Sequence, residues 1–209
     1  RSPLARMQAL LSIARQQAGD AGSPQIDRME TEIEHLDELI GEILTYSRLE
    51  AREHITRHPT DIVDLVQNIV NDAELEAQGA DRPMRLDAPD SLVLELDSGL
   101  IQSAIENVVR NALKHTRDGT AVTVRMVEEP GGVRITIDDE GPGVPPDAIS
   151  QIFDPFYRVS DARGQKSGGG GIGLAIAKRS IGLHGGSISA RNRVGGGLSI
   201  EIVLPAGRR

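Results

Sequence analysis

The first fifty residues repeat apolar side chains at the seven-residue spacing of a helical coiled coil. Two series share one register: Ile26, Ile33 and Ile40, and Met29, Leu36 and Ile43. A weaker series of the same kind precedes residues 19–24, which are rich in Gly and end in Ser and Pro. This a/d pattern predicts a helical hairpin over residues 1–52. Ser23 is expected to cap its second helix, with Pro24 at the first helical position.

Two short amphipathic helices cannot bury both apolar stripes by themselves, so the hairpin needs a partner. The simplest partner is a second copy of the same chain, which would complete a four-helix bundle. We therefore expect a homodimer through residues 1–50.

After a linker over residues 53–60, the pattern changes to alternating strands and helices over residues 61–209. Helices are predicted over 61–78, 98–115 and 172–184, and strands over 92–96, 121–127, 133–138, 187–192 and 198–204. Mixed strands with three helices predict an α/β two-layer sandwich, so the whole chain is assigned to the α+β class. The segment 140–171 shows no regular pattern. An irregular stretch of that length is usually functional or a misassigned element.

The composition excludes several classes of protein. None of the 209 residues is Cys, which rules out a disulfide framework and a thiolate metal site and leads us to expect an intracellular compartment. The net charge of −8 argues against coating nucleic acid, and two Tyr and two Phe are too few for stacking on single strands. No apolar run approaches the ~20 residues of a membrane-spanning helix. We expect a soluble fragment without a nucleic-acid partner.

Glycines flank the irregular segment at both ends. Gly141 and Gly143 begin it, and Gly173 follows a glycine run at 168–171, just inside a predicted helix. Backbone N–H groups and the positive helix terminus would converge there, where a phosphate could bind. Residues 168–173 also fit the dinucleotide pattern G-x-G-x-x-G, but no strand leads into them and no acidic residue follows at the required distance. A flexible glycine linker is the alternative interpretation.

Polar residues on the helix predicted over 98–115 fall on one face. Asn107 and Asn111 are four residues apart, with Lys114 and His115 one turn further on. Carboxamide oxygens suit a hard cation such as Mg²⁺, and Lys114 would supply a point charge for phosphate. Structural hydrogen bonds or a solvated helix face would explain the same spacing.

Carboxylates follow the strand predicted over 133–138, where Asp139 and Glu140 precede Gly141. A carboxylate at this point can accept a hydrogen bond from an exocyclic amine, while glycine lets a flat base approach the backbone. An acidic turn at the strand end is the alternative interpretation.

Taken in order, four segments resemble the motifs of the ATP-binding domain of sensor histidine kinases. Residues 107–115 resemble the N box, 139–143 the first glycine box, 153–158 the F box and 169–174 the second glycine box. The first six residues are similar to the sequence that directly follows the phosphoacceptor histidine in the family's dimerisation helix. The resemblance covers essentially the whole chain and is of the type of envelope-stress and other orthodox two-component kinases.

This resemblance implies the ATPase sandwich shared by histidine kinases, gyrase and heat-shock chaperones, with a lid over ATP between the glycine boxes. Asp139 would bind the adenine amino group, and Asn111 would ligate Mg²⁺ with Asn107 nearby. Lys114 and His115 would face the phosphates.

For catalysis, the resemblance implies that Arg158 stabilises the charge of the γ-phosphoryl group, with Lys114 and Asn107 completing the catalytic set. Gly171 and Gly173 would cradle phosphates at the start of the last helix. The remaining implied nucleotide contacts are Gly141, Gly143, Tyr157, Gly169, Ile172 and Leu174.

The implied function is that of the cytoplasmic catalytic portion of a sensor histidine kinase, which transfers the γ-phosphoryl group of ATP to a histidine and then to an aspartate of a response-regulator receiver domain.

The acceptor histidine is expected just before Arg1. Four other histidines are expected to be solvated or helix-capping: His35, His54, His58 and His184. Ser2 stands where the family has Thr or Asn, which leaves dephosphorylation of the regulator open. The full-length protein would be attached to a bacterial inner membrane through segments outside this chain.

Two other functions compete with this one. A degenerate kinase that acts as a dimeric signalling adaptor would keep the fold without needing to bind ATP. A hydrolytic ATPase of the chaperone or topoisomerase type would usually carry Glu where this chain has Asn107, so phosphotransfer is favoured over hydrolysis.

Overall fold

Strands and helices alternate along the chain after two N-terminal helices. The computed structural model describes residues 2–18, 24–77, 81–159 and 170–206. The helices in these ranges are α1 (Ser2–Ala18), α2 (Pro24–Glu50), α3 (Ile62–Glu76), α4 (Ser98–His115) and α5 (Gly173–Leu183). The strands are β1 (His58–Asp61), β2 (Met84–Asp87), β3 (Val93–Leu96), β4 (Val122–Glu129), β5 (Gly132–Asp138), β6 (Ser187–Asn192) and β7 (Leu198–Pro205).

Five strands form one sheet in the order β2-β4-β5-β7-β6, and β1 pairs with β3 in a separate two-stranded sheet. β2 runs parallel to β4, and the other neighbours in the larger sheet are antiparallel. Along β4 and β5, buried residues alternate with more exposed ones, so the sheet buries one face. The helices α3, α4 and α5 contact β2, β5 and β6 respectively. This arrangement confirms the predicted two-layer α/β sandwich.

Aspartates start the two helices that follow β1 and β3. Asp61 accepts a hydrogen bond from the backbone N of Val63 at 2.9 Å, and Asp97 accepts one from Leu100 at 3.2 Å. Each bond satisfies a donor that has no partner inside the helix. The helix expected over 98–115 therefore has the predicted bounds, whereas the helix expected over 61–78 begins one residue later, after its cap.

The sequence pattern missed two strands. β1 begins at His58, inside the segment expected to be a linker, and β2 at Met84 lies where no element was predicted. Each strand has only four residues and includes charged or proline positions, so the alternation that identifies a strand is too short to recognise. Pairing with β3 and β4 supplies what local sequence does not.

The two N-terminal helices contact each other through charged side chains. Arg15 on α1 bonds to Asp27 at 3.2 Å and to Glu30 at 2.5 Å on α2. On α2, the side chains of Met29, Leu36 and Ile43 are 56%, 47% and 42% exposed, respectively. Ser23 lies outside the described residues, so its capping role stays a prediction, as does the homodimer.

The C-terminal end of α2 is attached to α5. Leu49 is buried against Ile172 and Ile176, and the Arg179 guanidinium donates to the backbone oxygens of Leu49 at 3.0 Å and Glu50 at 3.2 Å. Arg179 thus supplies donors to carbonyls at a helix end, where intrahelical partners run out.

Among the described residues, no helix combines the length and apolar character that crossing a membrane requires.

His184 follows α5 and is buried, with 3% of its surface exposed. Its Nε2 accepts a hydrogen bond from the backbone N of Asp97 at 3.0 Å, and its Nδ1 lies 2.8 Å from the carbonyl oxygen of Ser180. The ring is therefore neutral, with its proton on Nδ1. The sequence left a solvated and a helix-capping ring open. The ring is buried rather than solvated, and its contact with the Ser180 carbonyl is a helix-end contact, while Nε2 links α5 to the start of α4.

This buried histidine should make stability depend on pH. Burial lowers the pKa of His184 below its ordinary value of 6.5. The unfolded chain then binds more protons than the folded chain below about pH 6.5, so the contribution is complete above that pH and is lost as the pH falls. We expect the free energy of unfolding to fall between pH 7 and pH 5, with a slope of at most ~1.4 kcal/mol per pH unit from this group.

Denaturant titrations across this range would measure the slope. His184→Gln should flatten the dependence, whereas His54→Gln, at an exposed histidine, should leave it unchanged. An equal slope in the unaltered chain and His184→Gln would refute the assignment.

Candidate active site

A cavity of about 820 Å³ opens between α2, α4, the start of α5 and the segment that follows β5. We call it the central cavity; its lining includes Asn111, Lys114, Asp139, Arg158 and Gly173. The volume is in the range of small-molecule sites. Residues from the N box, the F box and both glycine boxes therefore meet in one place.

Helix α4 supplies the N-box side chains because its opposite face is buried. Residues Ile101, Ile105 and Val108 are at most 1% exposed, which turns Asn107 and Asn111 toward the cavity. The Nδ2 atom of Asn107 donates to the backbone oxygen of Ser103 at 2.8 Å. That bond fixes the orientation of its carboxamide.

Two cations line the central cavity close to each other. Lys114 and Arg158 both line it, and the charge of Arg158 acts on Lys114. His115 also lines the cavity and acts electrostatically on Asp139. Burial lowers the pKa of Lys114, and the Arg158 guanidinium lowers it further, while Glu42 and Glu38 oppose the shift. Two cations that share a partly buried cavity favour an anionic ligand.

Asp139 also lines the central cavity and is 4% exposed. Its Oδ1 atom accepts from the backbone N of Gly141 at 2.8 Å and of Leu198 at 3.1 Å. Burial raises the pKa of Asp139, and these two bonds oppose the shift. Because both bonds use Oδ1, Oδ2 is the oxygen that can accept from a ligand donor.

Gly141 and Gly143 shape the segment after Asp139. A Cβ atom at Gly141 would lie 2.3 Å from the backbone oxygen of His115, so only glycine allows this turn to pack on the end of α4. Gly143 has a φ of +75° and lines the cavity, whereas Gly141 does not line it. Gly141 thus packs the segment against α4 without itself lining the cavity.

The F box is divided between the core and the cavity. Phe153 is buried in the main core, Phe156 is exposed at a φ of +66°, and Tyr157 and Arg158 line the cavity. The backbone N of Phe156 donates to the oxygen of Gly171 at 2.9 Å, which joins the F box to the second glycine box.

The second glycine box begins α5 at the cavity. Gly171 has a φ of +68°, and Gly173 and Leu174 also line the cavity. The side chain of Ile172 does not: it is fully buried with Leu49 and Ile176, so an implied nucleotide contact there could use only its backbone. The implied contact at Gly169 lies outside the described residues.

Gly173 and Asn107, which both line the cavity, are in close contact with each other. A Cβ atom at Gly173 would lie 2.6 Å from Oδ1 of Asn107. Gly173→Ala should therefore displace the Asn107 carboxamide and cost about 1 kcal/mol of stability, the usual contribution of one hydrogen bond. Gly182→Ala on the same helix meets open space and should stabilise the chain by up to about 1 kcal/mol.

Denaturant unfolding of the two variants, side by side, would measure this contrast. Equal stabilisation by both substitutions would show that Gly173 and Asn107 are not in tight contact.

Helix α2 contributes a wall that the sequence motifs did not predict. Glu38, Glu42 and Thr45 line the cavity, and Glu42 Oε2 is buried with no hydrogen-bond partner among the described residues. Burial raises the pKa of Glu42, and Glu38 raises it further. A Cβ atom at Gly170 would lie 2.1 Å from Leu39 Cδ2, so this glycine permits close contact between α2 and the second glycine box.

No described group of three or more His, Asp or Glu side chains could hold a metal ion alone. On α4, the carboxamides of Asn107 and Asn111 and the carboxylate of Glu106 line the cavity as oxygen donors. Mg²⁺ binds in this way when a substrate phosphate completes its coordination. The donor set therefore fits Mg²⁺ that enters together with a phosphate ligand.

Comparison with known proteins identifies a matching family and relatives of this chain. Residues 96–208 match the family described as histidine kinase-, DNA gyrase B-, and HSP90-like ATPase. The sensor histidine kinase CpxA of Escherichia coli (strain K12) is 35% identical over 210 residues, which cover 100% of this chain and 45% of CpxA. The chain thus spans less than half the length of this relative.

Two solved structures share the fold of this chain. Full-length ShkA, crystallised in complex with AMPPNP, superposes with a TM-score of 0.79 at 25% identity, covering 100% of this chain and 44% of ShkA. The mycobacterial sensor histidine kinase MprB superposes with a TM-score of 0.63 at 27% identity, covering 73% of this chain and 99% of that one.

Proposed function

The chain belongs to the histidine kinase-, DNA gyrase B-, and HSP90-like ATPase family and its relatives are sensor histidine kinases of two-component systems, and on this basis we propose that it transfers the γ-phosphoryl group of ATP to a histidine. One observation carries the proposal: the central cavity brings together a buried carboxylate, two neighbouring cations and a helix N-terminus. ATP has the complementary groups, an amino-bearing base and a triphosphate.

At the base end, Asp139 binds the adenine amino group through Oδ2. Gly141 and Leu198 hold its other oxygen, so the carboxylate needs no rearrangement when the base enters. Gly143 and Val144 line the same end of the cavity and let the flat base approach the backbone.

At the phosphate end, α5 directs backbone N–H groups and its positive terminus at the cavity. Gly171, Gly173 and Leu174 form this wall. Arg158 lies beside this wall, since a Cβ atom at Gly171 would meet its Cγ at 3.2 Å, and Lys114 is close to Arg158. Both cations stabilise the charge of the transferred group, and His115 faces the phosphates. Tyr157 positions Arg158 by packing its ring against the main core.

Asn111, with Asn107 nearby, would hold Mg²⁺ on the α4 side of the cavity, and the chemistry that the ion would supply there is neutralisation of charge on the phosphate oxygens. Its coordination needs the substrate phosphates as well as the carboxamides, so we expect metal and nucleotide to bind together.

Transfer is favoured over hydrolysis by the polar groups around Asn107. Its carboxamide is engaged with Ser103 and is not a base. The adjacent Glu106 lines the cavity, but it accepts a hydrogen bond from Gln102 at 2.8 Å. Steady release of phosphate by the chain alone would contradict this part of the proposal.

The resemblance to the family extends the proposal to the other segments of the chain and to its partners. Residues 1–52 form the dimerisation hairpin, and the catalytic domain begins with β1 at His58, which shortens the predicted linker to residues 53–57. The exposed apolar side chains of Met29, Leu36 and Ile43 support a dimer through residues 1–50. The phosphohistidine then passes its group to a response-regulator aspartate, on the cytoplasmic side of a bacterial membrane.

Calorimetry with AMPPNP and Mg²⁺ tests the binding step. We expect one site per chain, with affinity that falls when EDTA removes the metal. A chain that folds but binds no AMPPNP would contradict the kinase proposal and favour a dimeric signalling adaptor.

A further inference from the structure

We propose that Asn192 and Arg193 are positioning residues that hold residues 139–144 in the geometry that recognises adenine. The inference rests on the proposed function, because it takes Asp139 as the acceptor of the adenine amino group. Neither residue lines the central cavity. Both lie outside it, where β6 ends and the turn to β7 begins.

Asn192 binds both backbone groups of Val144. Its Oδ1 atom accepts from the N of Val144 at 2.9 Å, and its Nδ2 atom donates to the carbonyl oxygen of Val144 at 2.6 Å. A side-chain amide thus pairs with a main-chain residue as a neighbouring strand would. Since Val144 lines the cavity, this pair fixes the far end of the base-binding segment.

The fit around Asn192 also explains the glycine before Val144. A Cβ atom at Gly143 would lie 2.7 Å from Asn192 Oδ1, and the φ of Gly143 is +75°. Only glycine combines this conformation with such a close neighbour.

Arg193 holds the near end of the same segment. Its Nη1 atom donates to the backbone oxygen of Asp139 at 2.5 Å. The turn itself is closed by a bond from the N of Arg193 to the oxygen of Gly197 at 3.0 Å. A Cβ atom at Gly197 would lie 2.0 Å from the backbone oxygen of Asp139, so the turn packs directly against the residue that binds the adenine amino group.

One turn therefore fixes both ends of the base-binding segment. Leu198, where the turn enters β7, adds two more bonds: its N donates to Asp139 Oδ1 at 3.1 Å, and its oxygen accepts from Asp139 N at 3.0 Å. Because Oδ2 of Asp139 must meet the 6-amino group, a displacement of about 1 Å would remove the preference for an amino over an oxo group.

The test compares ATP with inosine triphosphate, which carries an oxo group in place of the amino group. We expect the unaltered chain to bind ATP at least about tenfold more tightly, as one hydrogen bond to a charged group provides. Asn192→Ala should weaken ATP binding about tenfold and change the affinity for inosine triphosphate by less than about twofold. Arg193→Gln should act in the same direction, and it serves as the second variant if Asn192→Ala fails to fold.

Two controls separate positioning from general stability. Arg191→Ala, at an exposed neighbour on β6, should leave both affinities unchanged. Asn192→Asp keeps the acceptor for Val144 N and should restore part of the preference.

Three results decide the inference. Collapse of the preference in Asn192→Ala and Arg193→Gln supports it. Equal weakening of both nucleotides, or a lower melting temperature with the preference intact, would overturn it and leave the proposed function standing. No preference in the unaltered chain would refute the adenine assignment of Asp139 itself, and the inference with it.

Discussion

Replacing Asp139 with asparagine should weaken ATP binding about a hundredfold. Oδ1 accepts bonds from Gly141 and Leu198, so the amide oxygen of the variant must take that side. Its NH₂ group then replaces Oδ2 and faces the adenine amino group, donor against donor. Losing a bond to a charged acceptor and leaving buried donors unpaired together cost about 3 kcal/mol, which corresponds to this loss of affinity.

Calorimetry with AMPPNP and Mg²⁺ measures the change directly. Glu140→Gln is the matched control, because it removes one negative charge from the next residue, which is exposed. We expect its affinity to match that of the unaltered chain. If Asp139→Asn binds AMPPNP within about threefold of Glu140→Gln, Asp139 does not contact the base.

Replacing Asn111 with alanine should abolish the effect of Mg²⁺ on nucleotide binding. Asn111 offers a carboxamide oxygen to the cavity, and no described cluster of acidic or histidine side chains could substitute for it. We expect Mg²⁺ to raise the AMPPNP affinity of the unaltered chain by about ten- to a hundredfold, and to raise that of the variant by less than about twofold. The affinities without metal should agree.

The control for this variant is Gln102→Ala, which removes another carboxamide from the same helix. Gln102 bonds to Glu106 and is exposed, so the metal dependence should persist. A Mg²⁺ response in Asn111→Ala equal to that of Gln102→Ala would remove Asn111 from the metal site.

The elements that the sequence predicted well are those that carry their own start and stop signals. Helix α4 has an apolar face with helical spacing and Asp97 as its cap, so its bounds follow from local chemistry. The strands β1 and β2 have neither, since each is four residues long and depends on a distant partner. Tertiary pairing, rather than propensity, makes them strands.

The same distinction applies to the candidate site. Residues such as Asn111, Asp139 and Gly173 could be found because their motifs are contiguous in sequence. The wall formed by Glu42 could not, because it depends on how α2 docks on α5 through Leu49 and Arg179. Nor could the turn at Asn192, which is 48 residues from the backbone it holds.

The burial of Ile172 and His184 shows where residue type alone misleads. Ile172 stands within a glycine motif, yet its side chain serves the contact with α2. His184 stands at a helix end, where a solvated or helix-capping ring is expected, yet it is buried and also accepts a bond from the backbone N of Asp97. Both assignments needed the neighbouring elements in place.

Phosphorylation of a histidine placed before residue 1 would decide whether the protein is a histidine kinase. The chain extended by His-Glu-Leu ahead of Arg1, incubated with γ-labelled ATP and Mg²⁺, should acquire acid-labile label. The matched chain extended by Gln-Glu-Leu should stay unlabelled while binding AMPPNP equally well. Equal label on both chains, or no label on the first although it binds AMPPNP, would contradict the assignment of a histidine kinase.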